Sequence, residues 1–262
     1  MYAFDIERPA TVADAAAALA NEDAQALGGG QTLIPTLKAR LASPEKLISL
    51  SGIAEMQGMS SEGGNLRIGG GTIHTTVASE AGAIYPALAG LAANIGDPAV
   101  RNRGTIGGSI ANNDPAACYP AAALASGATI VTNTREIAAD DYFQGMFTTA
   151  LEEGEIVTAV SFPVPEKAHY EKFVQPASRF ALVGVFVAKY ADGVRVAVTG
   201  ASNDGVHRWT AAEEALSANF SADALADLTV PADDLISDLH GTAEYRAHLV
   251  KVMTGRAVSK AS

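Results

Sequence analysis

The stretch Ala24-Gln25-Ala26-Leu27-Gly28-Gly29-Gly30-Gln31-Thr32 runs a short apolar segment straight into three glycines. That pattern reads as a strand leaving into a turn. Three consecutive glycines remove the Cβ atoms and permit positive φ. Successive main-chain N–H groups then converge on an anion, as in a nest. Gln31 and Thr32 add side-chain donors. The same composition returns at Gly104-Thr105-Ile106-Gly107-Gly108-Ser109, with small residues, exposed amides and a hydroxyl towards each end. Two such turns in one domain suffice to hold a pyrophosphate between them. The plain alternative is that each is only a tight turn. That alternative fits a third run, Gly69-Gly70-Gly71, best.

Neither turn has the spacing of a P-loop or of a Rossmann fingerprint. His74, His169, His207, His240 and His248 are scattered and form no H-E-x-x-H, so a metal site is not expected. No G-x-S-x-G elbow supplies a hydrolytic nucleophile. The single cysteine, Cys118, sits between Ala117 and Tyr119 and reads as a buried, inert thiol. No catalytic acid/base set stands out. Asp97, Arg101, Asn102 and Arg103 lead into the second turn. They read either as ligand or interface contacts or as a solvated loop, and an arginine there can brace the loop by bonding its carbonyls.

The wider chain sets the frame. Its 262 residues are 48% hydrophobic and 18% charged, which suits one large domain or two ordinary ones with a substantial core. The formal net charge of −11 repels phosphate backbones and argues against nucleic acid as a partner. One thiol cannot make an internal disulfide, nor can it hold a [2Fe–2S] cluster, which normally takes four thiolates. The N-terminal residues lack a basic segment followed by an apolar one, and no apolar run reaches the length of a membrane span. The cytoplasm is the default compartment.

Thr11 with Asp14 three residues on resembles a capping box opening a helix over 15–20. Strands are expected at Ala24–Leu27, 46–50, 65–68, 128–132 and 156–162. Helices are expected at 36–41, 75–81, Pro86–Ala93 and 119–125, with 98–109 as loop. Pro163 and Pro165 mark the best domain boundary. Beyond it, residues 182–190 and 194–199 are β-rich and joined through Asp192-Gly193, a strong hairpin signal. Helices at Thr210–Ala218 and 243–253 follow. The front half reads as α/β or α+β, and the tail as antiparallel α+β.

The run Arg101-Asn102-Arg103-Gly104-Thr105-Ile106-Gly107-Gly108-Ser109 is very similar to the signature of the FAD-binding medium subunits of molybdenum hydroxylases, the family of bacterial xanthine dehydrogenase and aerobic carbon monoxide dehydrogenase. Gly28-Gly29-Gly30-Gln31-Thr32-Leu33-Ile34-Pro35 resembles the family's first FAD loop. Asn113-Asp114-Pro115-Ala116-Ala117, Gly154-Glu155-Ile156-Val157, Tyr170-Glu171-Lys172-Phe173 and Ala177-Ser178-Arg179 match further motifs in order, as do Tyr245-Arg246 and Arg256-Ala257.

This resemblance covers nearly the whole chain. It implies an α+β fold, with a two-subdomain FAD-binding domain of the vanillyl-alcohol-oxidase (PCMH) type over 1–167. A small C-terminal domain over 168–262 would carry a three-stranded antiparallel sheet and helices. It implies FAD contacts from Gly28, Gly29, Gly30, Gln31, Thr32 and Leu33, and from Thr105, Ile106, Gly107, Gly108 and Ser109. Ile156 or Val157 would meet the cofactor through the backbone, and Lys172 would approach the flavin or its phosphates. The molybdenum cofactor and [2Fe–2S] clusters would lie in partner large and small subunits, in a dimer of heterotrimers. This chain would take electrons from the small subunit and pass them to an external acceptor.

One departure stands out. Many relatives carry an acid where this chain has Cys118. His74 follows a glycine run but lacks the usual pattern of a covalent flavin link. The competing readings are a free-standing flavin oxidoreductase similar to the reductase of cell-wall precursor synthesis, and a non-catalytic binding module. The first needs its own proton donor near the flavin, and no clear candidate stands in the sequence.

Overall fold

The computed structural model describes all residues from 1 to 262. The first layer is a small parallel sheet built from β1 (Asp5–Glu7), β2 (Ala24–Leu27) and β3 (Lys46–Ser49), in the order β1-β3-β2. Helix α1 (Val12–Leu19) crosses over between β1 and β2. Its start is fixed where the sequence put it: Thr11 Oγ1 accepts the Asp14 N–H at 3.1 Å. Helix α2 (Leu33–Lys38) follows the first glycine turn, three residues earlier than the pattern suggested, and Lys38 and Arg40 are exposed.

The second sheet is antiparallel throughout. It takes β4 (Met59–Glu62), β5 (Asn65–Gly69), β6 (Thr129–Thr132), β7 (Glu136–Ala138) and, after a small hairpin of β8 (Phe143–Gly145) and β9 (Thr148–Thr149), the strand β10 (Val157–Pro163). The order is β4-β5-β10-β6-β7, so β10 enters the middle and ties the ends of the segment together. The helices α3 (His74–Glu80), α4 (Pro86–Ala93), α5 (Pro98–Arg101), α6 (Ile106–Asn112), α7 (Tyr119–Ser126) and α8 (Ala139–Tyr142) lie between β5 and the hairpin in sequence.

The segment expected as loop over 98–109 therefore holds one short helix and the start of another. Each has a legible cap: Asp97 accepts the Val100 N–H, and Thr105 accepts the Gly108 N–H. Glycines at 107 and 108 hid α6, because their helix propensity is poor and the cap and packing override it.

The third sheet comprises β11 (Lys167–Val174), β12 (Ala181–Tyr190), β13 (Gly193–Ser202) and β14 (Gly205–Arg208), all antiparallel in sequence order. It has four strands, one more than the resemblance implied. The fourth arises because Gly205, at φ +87°, turns the chain back after Asn203-Asp204 to pair Ser202 with Gly205. Helices α9 (Thr210–Ala218) and α10 (Ala243–Lys260) cover one face, where Val183, Val185, Val187, Val196 and Val198 form a core with Leu249, Val250 and Met253.

The other face packs on the front half. Phe186 and Ala188 join Tyr85, Tyr119 and Phe162 in the largest cluster of buried side chains. A sheet apolar on both faces buries every residue of β12 up to Ala188, which explains its continuous hydrophobic run.

Candidate functional site

A cleft of about 610 Å³ opens where the three layers meet. That size lies within the range of roughly 300–1,000 Å³ usual for cofactor sites. Gly28, Gly29, Gly30, Gln31, Thr32, Leu33, Thr105, Gly107, Gly108, Ser109, Ile156, Val157 and Lys172 all line it. Of the residues named for the cofactor in the sequence, only Ile106 does not. Its side chain is fully buried in the main core.

The two turns do different work. From residue 28 to residue 33, no main-chain N–H donates to any acceptor in the protein. These amides sit on a cleft wall with their hydrogen-bonding capacity unspent, and Gly30 holds the left-handed φ of +72° that bends the turn. Gln31 Nε2 donates to Gly29 O at 3.1 Å, and the Thr32 hydroxyl makes no cap bond to α2.

In the second turn nearly every amide is engaged. Gly104 N–H donates to Val100 O, Ile106 to Thr72 O, Gly107 to Gly70 O, Gly108 to Thr105 Oγ1 and Ser109 to Thr105 O. The sequence reading of two equivalent amide cradles is thus corrected. The first turn offers donors, and the second is a clasp that holds shape.

Glycine is needed in this clasp for close approach. A Cβ on Gly29 would lie 1.9 Å from Arg103 O, and one on Gly107 would lie 2.6 Å from Gly70 O. The third glycine run, for which the plain-turn reading fitted best, is the floor of the site. A Cβ on Gly70 would lie 2.1 Å from Val157 O, and Gly70 and Gly71 both line the cleft. Sequence spacing gave no sign of this, because the approach is between β5, β10 and α6.

The rest of the wall is assembled from distant segments. Lys172, on β11 opposite Gly184, donates through Nζ to Asn94 O at 2.9 Å. It thereby joins the third sheet to the loop before α5. Arg101 braces the same loop, donating through Nη1 to Ile95 O and Gly96 O. The bracing role foreseen for an arginine here is the one it plays. Asn102 Oδ1 accepts from the Thr75 hydroxyl at 2.7 Å.

Ile156 offers little free backbone. Its N–H donates to Asn133 Oδ1 and its carbonyl accepts from Asn133 N. Only that oxygen's second lone pair remains.

The motif Asp114-Pro115-Ala116-Ala117 forms another wall, pinned from the third sheet. Thr199 Oγ1 donates to Pro115 O or Ala117 O, each at 2.7 Å. Asp114 accepts the Ala116 N–H, while its burial pushes its carboxyl above the usual range. Glu155, in contrast, is pulled down to about 2, first by the Arg135 guanidinium and then by the hydroxyls and amide that donate to it. It is a structural anion. Cys118 is buried as expected, yet it is also a wall residue of the cleft. Arg179 and Phe180 line it from the loop after β11.

His74 also lines the cleft, although the sequence did not place it among the cofactor contacts. Its pKa is lowered to about 4, by burial and then by the charge of Arg101. An unfolded histidine titrates near 6.5. The folded state therefore binds fewer protons between those values, so stability rises with pH through this window and is fully present above it. About 3 kcal/mol is lost as the pH falls from 6.5 to 4. Chemical denaturation of the His74→Phe chain across that range should show a flatter pH dependence than wild type. An equal slope in the two chains would remove His74 as the cause.

Residues 2–165 match the family model described as the FAD binding domain in molybdopterin dehydrogenase. The chain is 38% identical to the carbon monoxide dehydrogenase medium chain of Afipia carboxidovorans, over 98% of its own length and 96% of that protein. It is 33% identical to the nicotine 6-hydroxylase medium subunit of Paenarthrobacter nicotinovorans, covering 97% and 95%. Among solved structures, a chain of the cyanide-inactivated Cu,Mo-CO dehydrogenase superposes with a TM-score of 0.88 at 34% identity, covering 99% of this chain and 97% of that one.

Proposed function

The chain belongs to the family of FAD-binding domains of molybdopterin dehydrogenases, and from that premise we propose that it is the flavin-carrying medium subunit of a molybdenum hydroxylase. It takes electrons from a partner [2Fe–2S] subunit and passes them to an external acceptor. A molybdenum-binding large subunit completes the complex, as a dimer of heterotrimers in the cytoplasm. The observation that carries the reading is the row of unspent amides over 28–33 on the wall of a cleft large enough for a dinucleotide.

FAD, when bound, supplies the electron-accepting and electron-releasing chemistry. The protein supplies binding, orientation and exclusion of water. The amides of residues 28–33 and the Gln31 and Thr32 side chains hold the pyrophosphate. Thr105, Gly107, Gly108 and Ser109 set the opposing surface, and Ile156 and Val157 close one side. Lys172 places a positive charge on the wall and couples the C-terminal sheet to it. The division into a flavin domain over 1–167 and a C-terminal domain over 168–262 fits this work. The first holds both turns, and the second supplies Lys172, Arg179 and Phe180 to the cleft.

No helix is long and apolar enough to cross a membrane. The single cysteine requires that the iron–sulfur centres sit in other chains.

Expression with its partners tests this directly. The purified complex should be yellow-brown, with FAD, iron and molybdenum present. The chain expressed alone should take up FAD and show a flavin spectrum without turnover of a hydroxylase substrate. A colourless chain that takes up no FAD overturns the reading. So does a monomer with full turnover and no metal-containing partner, which would instead match a free-standing oxidoreductase.

A further inference from the structure

His74 is the one cleft-lining residue with a buried side-chain atom that the protein leaves without a hydrogen-bond partner. It opens α3, and its main-chain N–H donates to Gly104 O at 2.9 Å, which fixes the residue to the second turn. The residue is buried, 5% exposed. Of the two ring nitrogens, Nδ1 is sealed from solvent and has no partner. Nε2 lies against Gly104, so closely that a Cβ there would stand 2.5 Å from it. No side chain or carbonyl of the protein takes a proton from Nε2. The ring tilts on Tyr119, with centroids 5.3 Å apart. The charged group acting on it is Arg101, whose positive charge opposes a second proton on the ring. The imidazole is therefore neutral and carries one proton.

The placement of that proton follows from the surroundings. A sealed N–H without an acceptor is rarer and costlier than a sealed lone pair. Nδ1 is therefore the bare nitrogen, and the proton sits on Nε2, at the second turn. That turn has committed its own amides to the fold, as described above, while the first has not. A phosphate held between the turns would find a row of free main-chain amides on one side only, with the hydroxyls of Thr105 and Ser109 on the other.

Resting on the FAD reading, we propose that His74 supplies an N–H donor at the second turn: its Nε2–H bonds a phosphate oxygen of the bound dinucleotide there. The glycine at 104 is then required twice, for the turn itself and to leave room for the ring. His74 is a binding residue for the pyrophosphate, acting as a neutral donor and not as a charge.

Three measurements on the full chain test it. ¹⁵N NMR of the imidazole in the FAD-free chain should show the Nε2–H tautomer; the Nδ1–H tautomer overturns the proposal, whatever the variants do. Titration with FAD, followed by flavin fluorescence, should weaken roughly tenfold to hundredfold in His74→Phe, the range for one lost hydrogen bond to a charged group. His74→Asn, which restores an N–H donor, should recover part of that loss. The ³¹P resonances of bound FAD should move in His74→Phe, a readout that mere packing against Tyr119 would leave in place. Unchanged affinity and unchanged ³¹P shifts in a folded His74→Phe chain overturn this inference alone. A wild-type chain that binds no FAD overturns the functional reading instead.

Discussion

The Gly29→Ala chain should fail to retain FAD. A methyl group at this position would lie 1.9 Å from Arg103 O and 2.6 Å from both Arg103 C and Gly104 Cα. All three are main-chain atoms, so no side chain can swing aside. The two turns must separate by more than an ångström, and the amides over 28–33 move away from the clasp that faces them. Overpacking of this kind costs about 1–3 kcal/mol in stability, and ångström-scale misplacement of a binding group costs on the order of a hundredfold or more in function. We expect FAD affinity to fall at least about a hundredfold, with a Tm decrease of roughly 2–12 °C at the usual scaling for a chain of this size. Gly52→Ala is the matched control, because nothing lies within 4 Å of the added atom there. Flavin fluorescence titration and thermal unfolding of both variants give the answer. A Gly29→Ala chain that binds FAD like wild type would mean that the turns are free to slide, and the clasp would have to be abandoned.

The same geometry changes what Gly107→Val would report. The sequence alone suggests that a bulky residue at 107 blocks a phosphate. In the structure its Cβ runs into Gly70 O, so it would pry α6 from the end of β5. Loss of FAD in that variant follows from the broken floor and says little about where phosphate sits.

What the sequence made legible was local. The capping box at Thr11, the helix at Pro86–Ala93 with proline in its first turn, and the hairpin through Asp192-Gly193 all stand where propensity and turn chemistry put them. The glycine turns were visible as turns, and thirteen of the fourteen residues named for the cofactor do line one cleft, as counted from Gly28 to Lys172 with Ile106 left out. What stayed hidden depends on partners remote in sequence. Which amides are free is decided by Thr72, Gly70 and Val100, and no inspection of Gly104 to Ser109 alone shows that they are taken. His74 and Cys118 face the cleft only because α3 and α7 pack against the second turn and the C-terminal sheet. The fourth strand needed Gly205 to turn the chain back. Only its pairing with β13 distinguishes the segment around it from a loop.

The second large effect lies away from the cleft. Arg246, on α10, is 3% exposed. Its Nη1 donates to Leu182 O and to Gly200 O, each at 2.8 Å, and its Nη2 donates to Asp238 Oδ1 at 2.8 Å. It therefore closes β12, β13 and the turn before α10 around one guanidinium. Arg246→Leu would leave two carbonyls buried without partners, each at about 1–3 kcal/mol, while Asp238 is exposed enough to find water. A loss of about 3 kcal/mol is expected, which lowers Tm by roughly 6–12 °C. Asp238→Asn should cost far less, because its partner keeps both carbonyls.

The consequence reaches the cofactor. Gly200 N–H donates to Pro115 O, and the strand before Leu182 carries Lys172 and the loop with Arg179. Arg246→Leu should therefore also loosen FAD, by slackening the wall that the C-terminal sheet lends to the cleft. A variant with wild-type Tm would show that the carbonyls are satisfied without the arginine. A variant with lowered Tm but undiminished FAD affinity would show that the two halves of the chain hold the cleft independently.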